Sequence, residues 1–263
     1  MKIVTLLSDF GSTDGYVAQM KGTILDHCPS AVITDISHEV ERHNIPMGSF
    51  LLETTAPYFP KDTIHVAVVD PGVGSARKAI VIESKSALFI GPDNGLMARA
   101  SEKAGVKSIH EIREKEFQRE AVSSTFHGRD VFAYAAGLIA AGRRPEEVGP
   151  RVPKMETLDL PPPKLSGNTC SCHVLHVDGF GNVITDVSEV MIRNIPAKLG
   201  SRVNIRSGTR KLQAEYARSY YEVDKGAMAV LLGSQGFLEL AVREGSASEK
   251  LKANSLDKLE LRF

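Results

Sequence analysis

The apolar positions fall into short runs with two different periods, and the change from one to the other divides the chain. Residues 2–7 are a compact apolar run ending in Ser8-Asp9-Phe10-Gly11, and residues 16–27 then place apolar side chains at helical spacing until Cys28-Pro29 stops them. Residues 31–36, 63–69, 79–83 and 87–90 read as further strands, and 47–58 as a helix. The clearest helical pattern spans 130–141, apolar at Val131, Tyr134, Ala135, Leu138 and Ile139, closed by Gly142, with Asp130 expected as its N-cap. Strands alternating with helices predict a mainly parallel sheet flanked by helices.

Across 145–169 the pattern dissolves, and Pro150, Pro153 and the triplet Pro161-Pro162-Pro163 predict an extended connector. Beyond it, residues 170–177, 183–187, 202–206, 227–232, 237–242 and 258–263 are short strands separated by turn residues, which predicts a small antiparallel barrel or sandwich. The expected organisation is an α/β N-terminal domain over residues 1–160 and a small all-β, barrel-like C-terminal domain over 161–263.

Charge narrows the choice of partner. Lys plus Arg (32) equals Asp plus Glu (32), and no basic stretch is interleaved with aromatics, so neither nucleic acid nor an anionic membrane is expected. The first apolar run is too short for a signal peptide, and no uninterrupted apolar span of ~20 residues follows. A cytoplasmic protein acting on a small molecule is the expectation. Cys170 and Cys172 are spaced as alternate strand positions rather than as a zinc knuckle, and no metal site is expected.

In an open parallel sheet, ligands gather beyond the carboxyl ends of strands, and Asp9, Asp70 and Asp93 each follow an apolar run, so they are expected to converge in one crevice. Asp9 can accept both hydroxyls of a vicinal diol, as in ribose, or simply cap the following loop. Asp70-Pro71-Gly72-Val73-Gly74 with Arg77 is either a ligand-approaching turn or a structural ion pair. Phe126-His127-Gly128-Arg129-Asp130 sets an imidazole, a cation and a carboxylate before the long helix, and Gly91-Pro92-Asp93-Asn94-Gly95 is a strong turn. Asp178-Gly179-Phe180-Gly181-Asn182 and Gly233-Ser234-Gln235-Gly236-Phe237 are plain hairpin turns or, alternatively, offer a carboxylate, an aromatic face, an amide and a hydroxyl to a ligand.

Taken in order, these segments resemble the S-adenosyl-L-methionine (SAM) hydroxide adenosyltransferases, relatives of the bacterial fluorinase and chlorinase, over nearly the whole chain. The resemblance implies an α/β domain followed by a β-barrel, and a homotrimer with each active site between neighbouring subunits. It also implies hydrolysis of SAM by attack of water or hydroxide at ribose C5′, giving adenosine and L-methionine, with no cofactor because SAM is itself the substrate. The family's Asp, Arg, His set corresponds here to Asp70, Arg77 and His127. By similarity Asp9 holds the ribose diol, Asn182 and Phe180 the adenine, Asp178 the methionine ammonium and Ser234 its carboxylate, with Arg243 near the adenine. Asp70 and neutral His127 are expected to accept hydrogen bonds from the water while Arg77 fixes the carboxylate. The fluorinase has a serine after the counterpart of His127, where this chain has Gly128. It also has one more residue between the counterparts of Asp178 and Phe180, and an arginine in place of Gln235. A SAM-dependent halogenase, a metal-dependent phosphoester hydrolase built on Asp9, Asp70, His127 and Asp130, and a non-catalytic SAM- or adenosine-binding protein are the alternatives.

Overall fold

The structure, a computed structural model, describes residues 2–263. It divides into two compact units, the first reaching to Asp159 and the second running from Leu160 to Phe263.

The first unit is a six-stranded mixed sheet between helices. Its strands are β1 (Ile3–Ser8), β2 (Val32–Ser37), β3 (Thr63–Val68), β4 (Ala79–Ser84), β5 (Ala87–Pro92) and β6 (Val106–Glu111), in the spatial order β2-β1-β3-β5-β4-β6. Pairings of β1 with β2 and β3, and of β3 with β5, are parallel, whereas β4 runs antiparallel to both β5 and β6. β1 and β3 are near-continuous apolar runs because both their faces are covered. On one face, α1 (Tyr16–His27) and α4 (Tyr134–Ala140) pack through Met20, Ile24, Ala135 and Ala136 against Leu6, Ile64 and Val66. Gly137 permits that contact, since a Cβ there would lie 3.0 Å from His27 Cβ and 3.2 Å from Ile24 Cα. On the other face, α2 (Ile45–Thr55) and α3 (Ala98–Ala104) cover Leu7, Ala67, Val69 and Phe89. Asn44 caps α2 by accepting the Met47 N–H at 3.0 Å, and Pro46 opens its first turn.

Three sequence expectations are revised here. The 130–141 helix begins as a π-helical turn, Gly128–Ala133, before α4, and Asp130 is no cap: its carboxylate is fully buried and bound by Arg129 and Ser123. The connector is partly absorbed into the first unit, where Pro145–Val148 is a 3₁₀ turn and Val152 N–H donates to Ile109 O at 2.8 Å along β6. α3 and β6 themselves carry no clear period, because β6 is half-exposed and buries only Ile109 fully.

The second unit is a closed barrel. Strands β8 (Thr169–Val177), β9 (Val183–Ser188), β10 (Arg202–Ser207), β11 (Arg210–Tyr216), β12 (Met228–Leu232), β13 (Phe237–Val242) and β14 (Lys258–Arg262) follow β7 (Lys164–Ser166), and a β14–β8 pairing closes the ring. Alternate residues such as Cys170, Cys172, Val203, Ile205, Leu238 and Leu240 fill its interior. β11, Arg210-Lys211-Leu212-Gln213-Ala214-Glu215-Tyr216, is too polar to register as a strand by pattern. Among the described residues no helix is long and apolar enough to cross a membrane.

His65, on β3, is fully buried, lies 2.7 Å from Thr5 Oγ1 and stacks on Phe89. Burial pushes its pKa down to about 4. A depressed folded pKa means that its contribution to stability is complete above pH ~6.5 and is lost as pH falls toward 4, at most roughly 3 kcal/mol. Urea unfolding at pH 7.5 and 4.5 should therefore show a smaller acid loss for His65→Gln than for the parent, and equal losses would refute this.

Candidate active site

The parallel pairing of β1 with β3 brings both strands out at the same carboxyl end of the sheet, so Asp9 and Asp70 emerge side by side. They line a cleft of about 380 Å³, together with Tyr16, His43, Phe126 and His127, a size within the range of small-molecule sites. Asp9 Oδ2 accepts the His43 N–H at 2.9 Å.

Asp70 is clamped by Arg77. Nε lies 3.0 Å from each carboxylate oxygen, and Nη2 bonds Oδ2. The same Nη2 lies 2.8 Å from His127 Nδ1, and the guanidinium carbon sits 5.2 Å from the Phe132 ring centre. Gly74 lets the Asp70 turn close on the loop that carries His127: its φ is +78°, and a Cβ would lie 2.7 Å from Ser124 O. That loop is anchored from below by Asp130, whose oxygens accept from Arg129 Nε at 2.6 Å, Arg129 Nη2 at 3.0 Å and Ser123 N–H at 2.8 Å. Burial works against the Asp130 charge, but these donors outweigh it and hold its pKa below the usual value.

A guanidinium can only donate, so Nδ1 of His127 must accept from Arg77, and the neutral ring carries its proton on Nε2. Burial, and then the Arg77 charge, push the His127 pKa below its ordinary value, which keeps the ring neutral near pH 7. The ring therefore offers a donor at Nε2 rather than the second acceptor expected from sequence. Asp70 is the acceptor of the pair.

Asp93 does not join them. Its side chain is buried and accepts the Glu156 N–H at 2.7 Å, and it does not line the cleft, so it holds the segment leading out of the first unit. Arg42, His43 and Tyr16 line the cleft but carried no sequence signal beyond their residue type.

In the second unit, Asp178 closes its own loop, accepting from Phe180 N–H, Asn182 N–H and Asn182 Nδ2, each at 2.9 Å. Phe180 is 83% exposed and Asn182 is buried. Arg243 donates to Val223 O at 2.9 Å and covers the Tyr221 ring at 4.3 Å. Ser234 lies exposed in the turn between β12 and β13. The register pairs Phe237 with Ser188 and Leu240 with Val183, which puts Ser234 and Asn182 toward opposite ends of the β9–β13 ladder. Between them sits Glu239, whose carboxylate accepts the Tyr220 hydroxyl at 2.5 Å. Burial raises the Glu239 pKa, and the nearby Asp178 charge adds to the rise. An acid inside the apolar strand Phe-Leu-Glu-Leu-Ala-Val was the available signal for it. Among the described residues no group of three or more His, Cys, Asp or Glu side chains could hold a metal ion.

Residues 4–149 match the family model of the SAM hydroxide adenosyltransferase N-terminal domain, and residues 172–260 that of its C-terminal domain. A protein of Methanocaldococcus jannaschii named (R)-S-adenosyl-L-methionine hydrolase is 39% identical, covering 99% of this chain and 96% of its own. One of the same name from Thermus thermophilus is 36% identical over 95% and 96%. A fluorinase of Nocardia brasiliensis is more distant, 24% identical over 91% and 89%. The crystal structure of an uncharacterised conserved protein from Thermotoga maritima superposes with a TM-score of 0.94 at 36% identity, covering 99% of this chain and all of that one. With both family domains matched in order and relatives aligned end to end, the chain belongs to the SAM hydroxide adenosyltransferase family.

Proposed function

We propose that this protein hydrolyses SAM, with water attacking ribose C5′ to give adenosine and L-methionine. The observation that carries this reading is the Asp70–Arg77–His127 arrangement on the cleft that also holds Asp9. The relatives' names specify the R sulfonium epimer, and we extend that preference to this chain. SAM is consumed as substrate and no cofactor is assigned. Asp178, Phe180, Asn182, Ser234 and Arg243 are assigned to the adenine and methionine ends, supplied by a neighbouring copy in a cytoplasmic homotrimer.

In the reaction a C5′–O bond forms as the C5′–S bond breaks, and its electron pair neutralises the sulfonium, so the leaving thioether needs no acid. Only the nucleophile needs help. Asp70 accepts a hydrogen bond from the water, His127 Nε2–H donates to its oxygen, and a lone pair remains for in-line attack. The water proton passes to Asp70 and on to solvent. Orientation of this kind is worth ~7–11 kcal/mol, against ~10²–10⁴ in rate for a general base, so positioning dominates.

The deciding assay incubates the protein with each SAM epimer, with and without chloride, and resolves nucleosides by chromatography and mass. Adenosine and methionine in equal amounts are expected. 5′-Chloro-5′-deoxyadenosine would make it a halogenase, and tightly bound, intact SAM a binding protein.

Asp70→Asn should lower kcat by about 10²–10⁴ with a small change in KM, measured by steady-state and single-turnover kinetics. An unchanged kcat would remove Asp70 from the mechanism. Because the His127 pKa is depressed, the neutral ring persists as pH falls through ~6.5. The acid limb of kcat should therefore lie below that value, and a limb at or above it would contradict the assigned state. At Gly128 a Cβ would lie 3.1 Å from Phe126, 3.2 Å from Phe10 and 3.3 Å from Met20. Gly128→Ser should accordingly lose about tenfold in hydrolysis, by displacing the neighbouring His127, without making chlorinated product. Full activity would show that the pocket yields.

A further inference from the structure

We propose that His38 is the positioning residue for Asp9, setting the carboxylate that recognises the ribose diol; this rests on the reading of Asp9 given above. The turn Ser8-Asp9-Phe10-Gly11 is held at both ends by this one residue. At its start, Ser8 Oγ lies 2.7 Å from His38 Nδ1, and at its end Gly11 N–H donates to His38 O at 2.7 Å. Ser8 Oγ also accepts the Phe10 N–H at 3.4 Å, so the hydroxyl ties the imidazole to the backbone immediately after Asp9.

The ring is fixed from behind. His38 Nε2 lies 3.1 Å from Asp35 Oδ1, outside linear hydrogen-bond geometry, and Asp35 Oδ2 accepts from Lys21 Nζ at 2.6 Å. The carboxylate favours a proton on Nε2, which leaves Nδ1 to accept from the Ser8 hydroxyl. Five residues on, the same segment turns back through His43, at φ +63°, to donate its N–H to Asp9 Oδ2. The chain following β2 therefore holds the residues on either side of Asp9 through His38 and the carboxylate itself through the His43 N–H, which sets the direction of its other oxygen before any ligand arrives.

Ser8, His38 and Asp35 have the composition of an acyl-transfer triad, but Ser8 is fully buried and does not line the cleft. The three form a lever on Asp9. A side chain acting through another carboxylate should alter what that carboxylate discriminates, whereas one that only supports the fold should not.

The test is the ratio of dissociation constants for 2′-deoxyadenosine and adenosine, measured by calorimetry without turnover. The parent should prefer adenosine by about tenfold or more, as expected for a hydrogen bond to a charged group. Asp9→Asn should bring the ratio close to one. His38→Ala should bring it to within about twofold of one, and His38→Asn, which keeps a polar atom where Nδ1 stood, should restore most of the preference. Ser8→Ala removes the hydroxyl alone and should reduce the ratio in the same direction, so the test survives if His38→Ala fails to fold. A folded His38→Ala or Ser8→Ala variant with the parental ratio overturns the proposal. A parent with no preference, or an Asp9→Asn variant that retains it, overturns the reading of Asp9 and the proposal together.

Discussion

One guanidinium organises the cleft of the first unit. Arg77 binds the Asp70 carboxylate and presents an N–H to His127 Nδ1, so two groups from distant parts of the sequence are oriented by a single cation. Taking such a pair largely out of water is costly, and the attraction between the partners alone does not make it stabilising. What the arrangement provides is definition. Because arginine has no acceptor, the sharing dictates which nitrogen of the imidazole carries the proton, and with it which partner accepts and which donates. Lysine would keep the charge but could not span both partners with a rigid planar fork.

Everything around Arg77 serves that geometry. β3 must end where it does to bring Asp70 to the cleft, Gly74 must let the turn touch Ser124, and the buried Asp130 must hold the 119–127 loop so that His127 meets the guanidinium. The π-helical turn at Gly128–Ala133 follows His127 directly. A turn of that kind widens the helix locally and is found disproportionately at functional sites.

Much of this was legible in the sequence, for reasons that can be named. Strand–helix alternation and the apolar runs before Asp9 and Asp70 are consequences of a sheet covered on both faces, so pattern predicted the elements and the shared carboxyl end. Asp93 emerges at the end of a strand parallel to β3, yet its side chain is claimed by the Glu156 amide, a contact between positions 63 residues apart that no local pattern encodes. β6 and β11 were silent because edge exposure and polar outward faces erase alternation. The donor role of His127 was hidden for a different reason: a tautomer depends on which nitrogen a neighbour occupies, and only coordinates reveal that. Glu239 is an acid set within an apolar strand that the sequence reading passed over, and its setting is defined by Tyr220 and Asp178 beside it.

The closure of the C-terminal barrel constrains how this protein can associate. β14 pairs with both β10 and β8, so among the described residues the ring offers no long unpaired strand for another chain to extend. Contacts made by this unit must be written in side chains, and exposed aromatics such as Phe180 and Tyr221 are the available vocabulary. Backbone pairing is indifferent to residue identity, whereas a side-chain surface can be retuned one position at a time. The geometry of any assembly built on this barrel is thus open to change by substitution without disturbing the barrel's own hydrogen bonds.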